Sequence, residues 1–383
     1  MRQVRVGLIG QGFMGKAHTH GYTDLPLYFD LGVDVVKEML CSVDGSLAEF
    51  AKRWGWRRHT ADWREVVNDN QVDLIDISTS NSSHAEIALA AIKQGKHVFC
   101  EKPLAVSMAD AEAMVRAASA AGIVNMVGFN YRYVPAIALA KSLIQENRIG
   151  EVYHFRGIYQ QSWLINPATP MVWRLKKEIA GYGPHGDLGA HIVDLARYLV
   201  GEIEEVCCAQ EVFVHERPQP QPEREGVPLA AMDKVDVDDA SVFLARFKGS
   251  KALGYFEATR YGMGHRNQNR VEINGSRGTI IFDMESMNEL EYYSDQDEKH
   301  VQGFRRIQVG ENAHPYMANW WPAGHNIGYG DSFVNQAYEL ISALKDGRKA
   351  KPDFCEGLLC ERVLEAAQRS VATRKWEQVN LKL

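Results

Sequence analysis

Along the first third of the chain, short and mostly apolar runs alternate with longer stretches in which apolar residues recur every three or four positions. The runs are Val4 to Ile9, Asp34 to Val43, Val72 to Ser78, His97 to Cys100 and Ile123 to Val127. Such runs, bounded by turn residues, suit strands buried on both faces. The periodic stretches predict helices from the glycine turn after Ile9 to about Leu25, Leu47 to Trp54, and Asp62 to about Asn68. Two more follow, His84 to Gln94 behind the caps Asn81, Ser82 and Ser83, and Met108 to Ala121 behind Ser107. Strands and helices alternate without hairpins, so the sheet should be parallel and doubly wound, with ligands beyond the carboxyl ends of its strands.

Beyond Gly128 the pattern changes. After a helix from about Pro135 to Gln145, long strands are predicted at Val152 to Gln161, Glu204 to His215, Ala240 to Phe247, Lys251 to Thr259, Arg270 to Asn274 and Gly278 to Phe282. Neighbours here can pair as hairpins, for example across Asn274 to Gly278, so this sheet should be largely antiparallel. In its midst lies Gly181 to Gly201, where Gly181, Gly183, Pro184, Gly186 and Gly189 break regular structure. There Ile192, Leu195, Ala196 and Leu199 then form one apolar helical face, and Gly201 stops the helix. The expected fold is α/β: an N-terminal doubly wound domain over residues 1–127 and an α+β domain with a large open sheet over 128–383.

The strand Val4 to Ile9 runs into Gly10-Gln11-Gly12-Phe13-Met14-Gly15 and a helix. In that context the three glycines allow a tight turn, close approach of main chain to a pyrophosphate, and close helix packing. At the end of the second strand Asp44 is the available acid, with no arginine until Arg53, which favours NAD over NADP; Asp44 serves equally well as a helix cap. Thr79, Asn81 and His84 lie at one further strand end, and Glu101-Lys102-Pro103 at another. Lys102 is there either a turn lysine or a group that polarises a reacting oxygen. Asp187 and His191 are four apart and share a helix face if the helix begins by Asp187. They read either as an acid/base pair or as an N-cap and a core histidine. His185, Asp187 and His191 would also suit a metal, a reading we rank below the acid/base one and do not adopt.

Composition narrows the classes. With 383 residues, 45% hydrophobic, 24% charged and a net charge of −6, the chain resembles an ordinary globular protein and has no basic surface for nucleic acid or anionic membrane. No apolar run reaches bilayer length and no secretory pattern precedes the first strand, so a cytoplasmic location is expected. The six cysteines have no metal-type or redox-type spacing and read as reduced thiols. Pro218 to Pro228 is a proline-rich loop without legible chemistry.

Four stretches carry a family resemblance: GQGFMG with AHTHGY, the strand-end CEKP, GFNYR at Gly128 to Arg132, and GDLGAHIVDLARYLVG. In this order and at these separations they resemble the glucose-fructose oxidoreductase / inositol dehydrogenase (Gfo/Idh/MocA) family. His314 to Phe333 is similar to the members that oxidise levoglucosan or scyllo-inositol. The resemblance implies a catalytic set of Lys102, Asp187 and His191, with Asn130 and Arg132 lining the nicotinamide and substrate pocket, and an open sheet whose outer face builds dimers or tetramers. It departs from many relatives at Tyr182, Pro184 and His185, which bears on substrate and not on chemistry.

Candidate cofactor residues are therefore Gly10, Gly12, Phe13, Met14, Gly15, Asp44, Thr79, Asn81, His84, Glu101, Lys102 and Asn130. Candidate substrate residues are Lys102, Arg132, Trp173, Arg174, Asp187, His191, Trp321 and His325; the tryptophans suit either the C–H faces of a sugar or a core. The expected activity is NAD-dependent oxidation of a secondary hydroxyl of a cyclic polyol or pyranose sugar. The alternatives are a redox-neutral glycoside-cleaving enzyme that retains NAD and, less favoured, a nucleotide-sensing regulator.

Overall fold

A computed structural model describes residues 3–220 and 231–382. Most of the proline-rich loop, from Gln221 on, lies outside the described residues. No described helix is long and apolar enough to cross a membrane. The chain forms two compact units, one of Met1–Leu139 with Gln308–Leu359 and one of Ala140–Ile307 with Cys360–Leu383.

The first unit holds a six-stranded parallel sheet of β1 (Gln3–Ile9), β2 (Asp34–Cys41), β3 (Arg58–Thr60), β4 (Leu74–Ile77), β5 (His97–Cys100) and β6 (Asn125–Val127), in the order β3-β2-β1-β4-β5-β6. The helices between them are α1 (Phe13–Tyr28), α2 (Leu47–Trp54), α3 (Trp63–Asn68), α4 (His84–Lys93) and α5 (Met108–Ala121). Strand order reverses between β1 and β4, which opens a crevice at the carboxyl ends. Burial explains the runs: β4 is buried at every position, as a strand covered on both faces must be. Ser107 caps α5 as expected, its hydroxyl accepting from Asp110 N–H. The three-residue β3 is too short to show a period in sequence.

The expected division at 127/128 is replaced by a discontinuous one. The helix Asp331–Asp346 sends Val334, Ala337, Leu340, Ile341 and Leu344 into the same core as Val4, Val6 and Leu8 of β1 and Tyr22 and Leu25 of α1. Its apolar face completes one side of the parallel sheet, so the chain returns to the first unit late. The 20-residue helix Phe354–Thr373, on which the sequence reading was silent, crosses from one unit's share of the chain to the other's.

In the second unit, α6 (Pro135–Gln145) leads to a nine-stranded sheet. Its strands are β7 (Val152–Gln160), β8 (Ile203–Glu211), β11 (Ala240–Phe247), β12 (Leu253–Thr259), β13 (Gln268–Gly275), β14 (Gly278–Asp283), β15 (Glu289–Ser294), β16 (Arg305–Gln308) and β17 (Glu377–Gln378). The order is β16-β15-β14-β13-β7-β12-β11-β8-β17, and β9 (Glu216–Pro218) pairs separately with β10 (Met232–Lys234). The described pairings are antiparallel except β7 with β12, which is parallel. Along β11, Ser241, Phe243, Ala245 and Phe247 are buried while Val242, Leu244 and Arg246 face out. That alternation buries one face, where Phe243 stacks on Phe256 at 4.5 Å, and leaves Val242, Leu244 and Leu253 exposed on the other.

The central segment is more helical than its glycines suggest. After α7 (Lys177–Ala180) the chain enters α8 (Pro184–Asp187), passes Leu188, still in the right-handed helical region, and continues as α9 (Gly189–Leu199). Pro184 starts the helix instead of breaking it, since its fixed φ suits the first helical position. Gly183 and Gly186 are required by packing: a Cβ on Gly183 would lie 1.9 Å from the Asp238 carbonyl oxygen, and one on Gly186 2.8 Å from Tyr182.

Candidate active site

The turn after β1 is shaped for a dinucleotide. Gly10 has φ +110, and a Cβ there would meet the Ser78 carbonyl oxygen at 2.5 Å. A Cβ on Gly15 would lie 2.0 Å from the Gly10 carbonyl oxygen. At Gly12 a Cβ would meet nothing within 4 Å, so the protein's own packing does not demand glycine there. The bare approach at Gly12 fits a ligand lying against the main chain. The first turn of α1 has no side-chain cap and no acidic residue, which leaves its N–H groups and positive end for a phosphate. Phe13 is 65% exposed and stacks on Tyr329 at 6.0 Å, while Met14 is half-buried.

At the end of β2, Asp44 accepts from Ser46 N–H and Oγ at 2.8 and 2.6 Å, and Gln11 Nε2 donates to Ser46 Oγ at 2.9 Å. The hydrogen bonds from Ser46 hold the Asp44 carboxyl below the usual carboxylate range. Asp44 thus braces the start of α2 and, through Ser46, joins the glycine turn to the β2 end. Ser46 occupies the N-cap position of α2 without a side-chain capping bond. The position and charge of Asp44 fit a ribose hydroxyl and oppose a 2′-phosphate.

The tips of β4 and β5 are tied together. His84 is buried, with Nδ1 2.9 Å from the Pro103 carbonyl oxygen and Nε2 3.4 Å from that of Thr79. Its ring nitrogens, expected at a cofactor, are thus turned to main chain, and burial lowers its basicity. The Thr79 hydroxyl lies 2.7 Å from Ser83 Oγ, Asn81 is buried, and Lys102-Pro103 is cis. Lys102 N–H donates to Glu101 Oε2 at 3.1 Å. Beneath it lies a buried cluster that sequence reasoning missed. His18 Nδ1 is 2.8 Å from Asp76 and Nε2 3.1 Å from Glu101, and Tyr22 Oη donates to Asp76 at 2.7 Å. Both ring nitrogens face carboxylates, so His18 is an imidazolium. Burial opposes that charge, but Asp76 and Glu101 outweigh it and raise the pKa to about 10. His18 belongs to the AHTHGY stretch, but nothing local in that stretch marks it as buried between two acids.

Asn130 and Arg132, expected to line the pocket, are both buried. Asn130 Nδ2 donates to Ser332 Oγ at 3.1 Å, and Arg132 pairs with Glu356 at 2.6 Å. Burial alone would raise the Glu356 carboxyl; Arg132 and Lys351 hold it below its ordinary value. Of the tail aromatics, Trp320 is a core residue: it packs on Tyr28 at 4.1 Å, and its Nε1 donates to Asn335. Trp321 meets Tyr28 edge-on at 5.4 Å and is 47% exposed. Tyr28 ends α1, roughly 20 Å from Phe13 at 1.5 Å per residue. His325 donates to the Pro322 carbonyl in the turn after Trp321. Trp321 therefore lies far from the glycine turn, and Tyr329 is the tail aromatic beside it.

In the second unit, Asp187 and His191 lie on successive turns of the α8–α9 segment, and Asp187 N–H and His191 N–H bond to Gly183 and Leu188 carbonyls. The loop before Asp187 is fixed by Asp238, which accepts from Gly183 N–H and His185 N–H at 2.8 Å each. His185 is buried, with Nδ1 at Ser241 Oγ and Nε2 at the Leu364 carbonyl, each 2.9 Å away. Burial lowers its basicity, and both nitrogens are engaged, so His185 is a structural histidine and not a metal ligand. Asp187 Oδ2 lies 2.7 Å from Arg260 Nη2 and 3.7 Å from Arg174 Nε. Arg174 in turn covers Trp173 at 4.4 Å. The His191 ring is buried 5.8 Å from that of Tyr159, whose hydroxyl donates to Asn267 Oδ1. Arg260, Tyr159 and Asp238 were not singled out from sequence, since each acts through a residue dozens of positions away.

A carboxylate and an imidazole on successive helical turns can share proton-transfer work, and the glycine turn can hold a dinucleotide. Comparison with known proteins shows the family and the NAD-binding domain. Residues 4–129 match the oxidoreductase family with an NAD-binding Rossmann fold, and residues 137–281 match the GFO/IDH/MocA C-terminal domain. The chain is 38% identical to levoglucosan dehydrogenase of Pseudarthrobacter phenanthrenivorans, over 99% of either chain. An oxidoreductase domain protein from Kribbella flavida superposes with a TM-score of 0.95 at 45% identity, covering 99% of this chain and 100% of that one. A levoglucosan dehydrogenase in complex with NADH and levoglucosan superposes with a TM-score of 0.94 at 39% identity, with the same coverage. With both of its domains matched in order, the chain belongs to the Gfo/Idh/MocA family of NAD-binding oxidoreductases.

Proposed function

We propose that the protein is an NAD-dependent dehydrogenase that reversibly oxidises a secondary hydroxyl of a cyclic polyol or pyranose sugar to a ketone. The observation that carries this reading is the pairing of Asp187 and His191 on consecutive helical turns in a chain that begins with an NAD-binding domain. Bound NAD supplies the hydride acceptor. Gly10, Gly12, Gly15 and the α1 N-terminus would hold its pyrophosphate, and Asp44 its adenosine ribose.

His191 accepts the proton of the substrate hydroxyl, and Lys102 hydrogen-bonds the same oxygen and stabilises the negative charge that develops as the carbinol hydride departs. Asp187 positions substrate and imidazole. Relatives that act on levoglucosan support a sugar-like substrate. The exposed apolar residues Val242, Leu244 and Leu253 on one sheet face support a homo-oligomer, a dimer or tetramer, and the free cysteines suit a cytoplasmic location.

The test is reduction of NAD and, separately, NADP by the purified protein with inositols, levoglucosan and pyranoses. Lys102→Ala and His191→Ala should each lower kcat by about 100-fold or more while NAD still binds. Near-normal turnover in either variant overturns its assigned role.

A further inference from the structure

Arg260 follows β12 directly and is fully buried, with 0% of its surface exposed. Its backbone is held at the sheet end: Arg260 N–H donates to the Asp239 carbonyl at 3.4 Å, and the neighbouring Thr259 hydroxyl donates to the same oxygen at 3.0 Å. The guanidinium lies 5.3 Å from the Trp163 ring, and its Nη2 donates to Asp187 Oδ2 at 2.7 Å. Among the described residues, its Nε and Nη1 meet no acceptor. Arg174 Nε approaches the same carboxylate oxygen at 3.7 Å.

We propose that Arg260 is a positioning residue for Asp187: it fixes the place and the negative charge of that carboxylate, so that Asp187 serves the reaction as a hydrogen-bond acceptor and leaves the proton to His191. The inference rests on the dehydrogenase reading for its catalytic half and on the buried pair alone for its structural half. A guanidinium does not lose its proton in a protein, so burying one requires a carboxylate that stays charged. A carboxylate beside two guanidiniums takes up a proton less readily than a free one, whereas a general base must titrate near working pH. The two roles are thereby separated: Asp187 is fixed as a hydrogen-bond acceptor, and His191 takes the proton. The 2.7 Å bond to Asp187 Oδ2 and the Trp163 ring at 5.3 Å orient the guanidinium.

The experiment compares Arg260→Met, Arg260→Lys, Asp187→Asn and the double variant Asp187→Asn/Arg260→Met in the full-length protein. With Arg260→Met, kcat/KM should fall about 100-fold, as expected when a reacting group loses its placement. Its acid limb against pH should move upward because loss of the cation beside Asp187 makes the Asp187–His191 pair easier to protonate, and the affinity for NAD should be unchanged. Arg260→Lys should restore the acid limb, since the charge returns, but not the full rate, since the planar fork does not. In thermal unfolding, Asp187→Asn should be less stable than the double variant, because it leaves a buried cation without its partner. An unshifted acid limb and unchanged kcat/KM in Arg260→Met overturn the positioning role. Additive effects in the unfolding cycle overturn the pairing, and that arm decides even if Arg260→Met folds poorly. Should the unaltered protein oxidise no polyol or sugar, the dehydrogenase reading falls by itself, while the unfolding cycle still decides the pair.

Discussion

Nε2 of His18 lies 3.1 Å from Oε1 of Glu101, a residue 83 positions away whose other oxygen accepts from Lys102 N–H. The strand tip that carries Lys102 is thus braced from below by a buried imidazolium, itself held by Asp76. The pKa of His18 is raised from 6.5 to about 10, so its proton stabilises the folded state. That contribution is fully present below pH 6.5 and is lost as pH rises through about 10. Thermal unfolding measured from pH 6 to 10, flanking that span, should show a falling midpoint. His18→Gln should lower the midpoint most at the acid end of the span and flatten the slope. An unchanged slope in the variant would show that His18 does not carry this term.

Gly128 leaves room for the same carboxylate. A Cβ at this position would lie 2.4 Å from Glu101 Oε1. Gly128→Ala must push Glu101 off His18, at a cost of about 1–3 kcal/mol as in other overpacked cores. Denaturant unfolding should show that loss, and calorimetry should show weaker NAD binding.

The three glycines of the turn should separate into two kinds. Gly15→Ala places a Cβ 2.0 Å from the Gly10 carbonyl oxygen and should destabilise the fold with or without cofactor. Gly12→Ala meets no protein atom within 4 Å and should leave the unfolding temperature of the cofactor-free protein unchanged. Its NAD affinity should drop about 10-fold or more, because a methyl group then occupies the approach to the pyrophosphate. Equal NAD affinity in Gly12→Ala would place the cofactor elsewhere.

Asp44 should set cofactor choice. Asp44→Ala removes the charge that opposes a 2′-phosphate, and the ratio of kcat/KM for NAD over NADP should fall by about 10-fold or more. A ratio that does not move would leave Asp44 as a brace for Ser46 alone.

Arg217 pins the loop that carries Trp163 and Trp173. Its guanidinium is buried and donates to the Leu164 carbonyl at 2.6 Å, the Asn166 carbonyl at 2.9 Å and Tyr261 Oη at 2.7 Å. Arg217→Met strands several carbonyls at once and should cost at least about 2 kcal/mol. Limited proteolysis should then cut between Leu164 and Leu175 in the variant and spare the parent, and the KM for the polyol should rise more than kcat falls.

The elements that were legible in the sequence are those whose cause is local. The period of apolar residues placed β1, β5 and α5 to within two residues, because burial on both faces or on one stripe is written into consecutive positions. Turn chemistry likewise placed the glycine turn and the Ser107 cap. Edge strands such as β16 and the two-residue β17 carry no such period, and the long helix Phe354–Thr373 went unread.

By itself the sequence determined the two fold classes, the dinucleotide turn and the family, since each depends on neighbours within a few residues or on motifs in a set order. Only the tertiary structure decided that Asp331–Asp346 belongs with the first core, and that His84, His185, Trp320 and Arg132 meet Pro103, Ser241, Asn335 and Glu356 respectively. It also decided that Arg260 reaches Asp187 across 73 residues and that His18 sits between two carboxylates. The physical reason is that a charged or polar side chain takes its role from the partner that burial forces on it. Strand order, and not sequence spacing, chooses that partner.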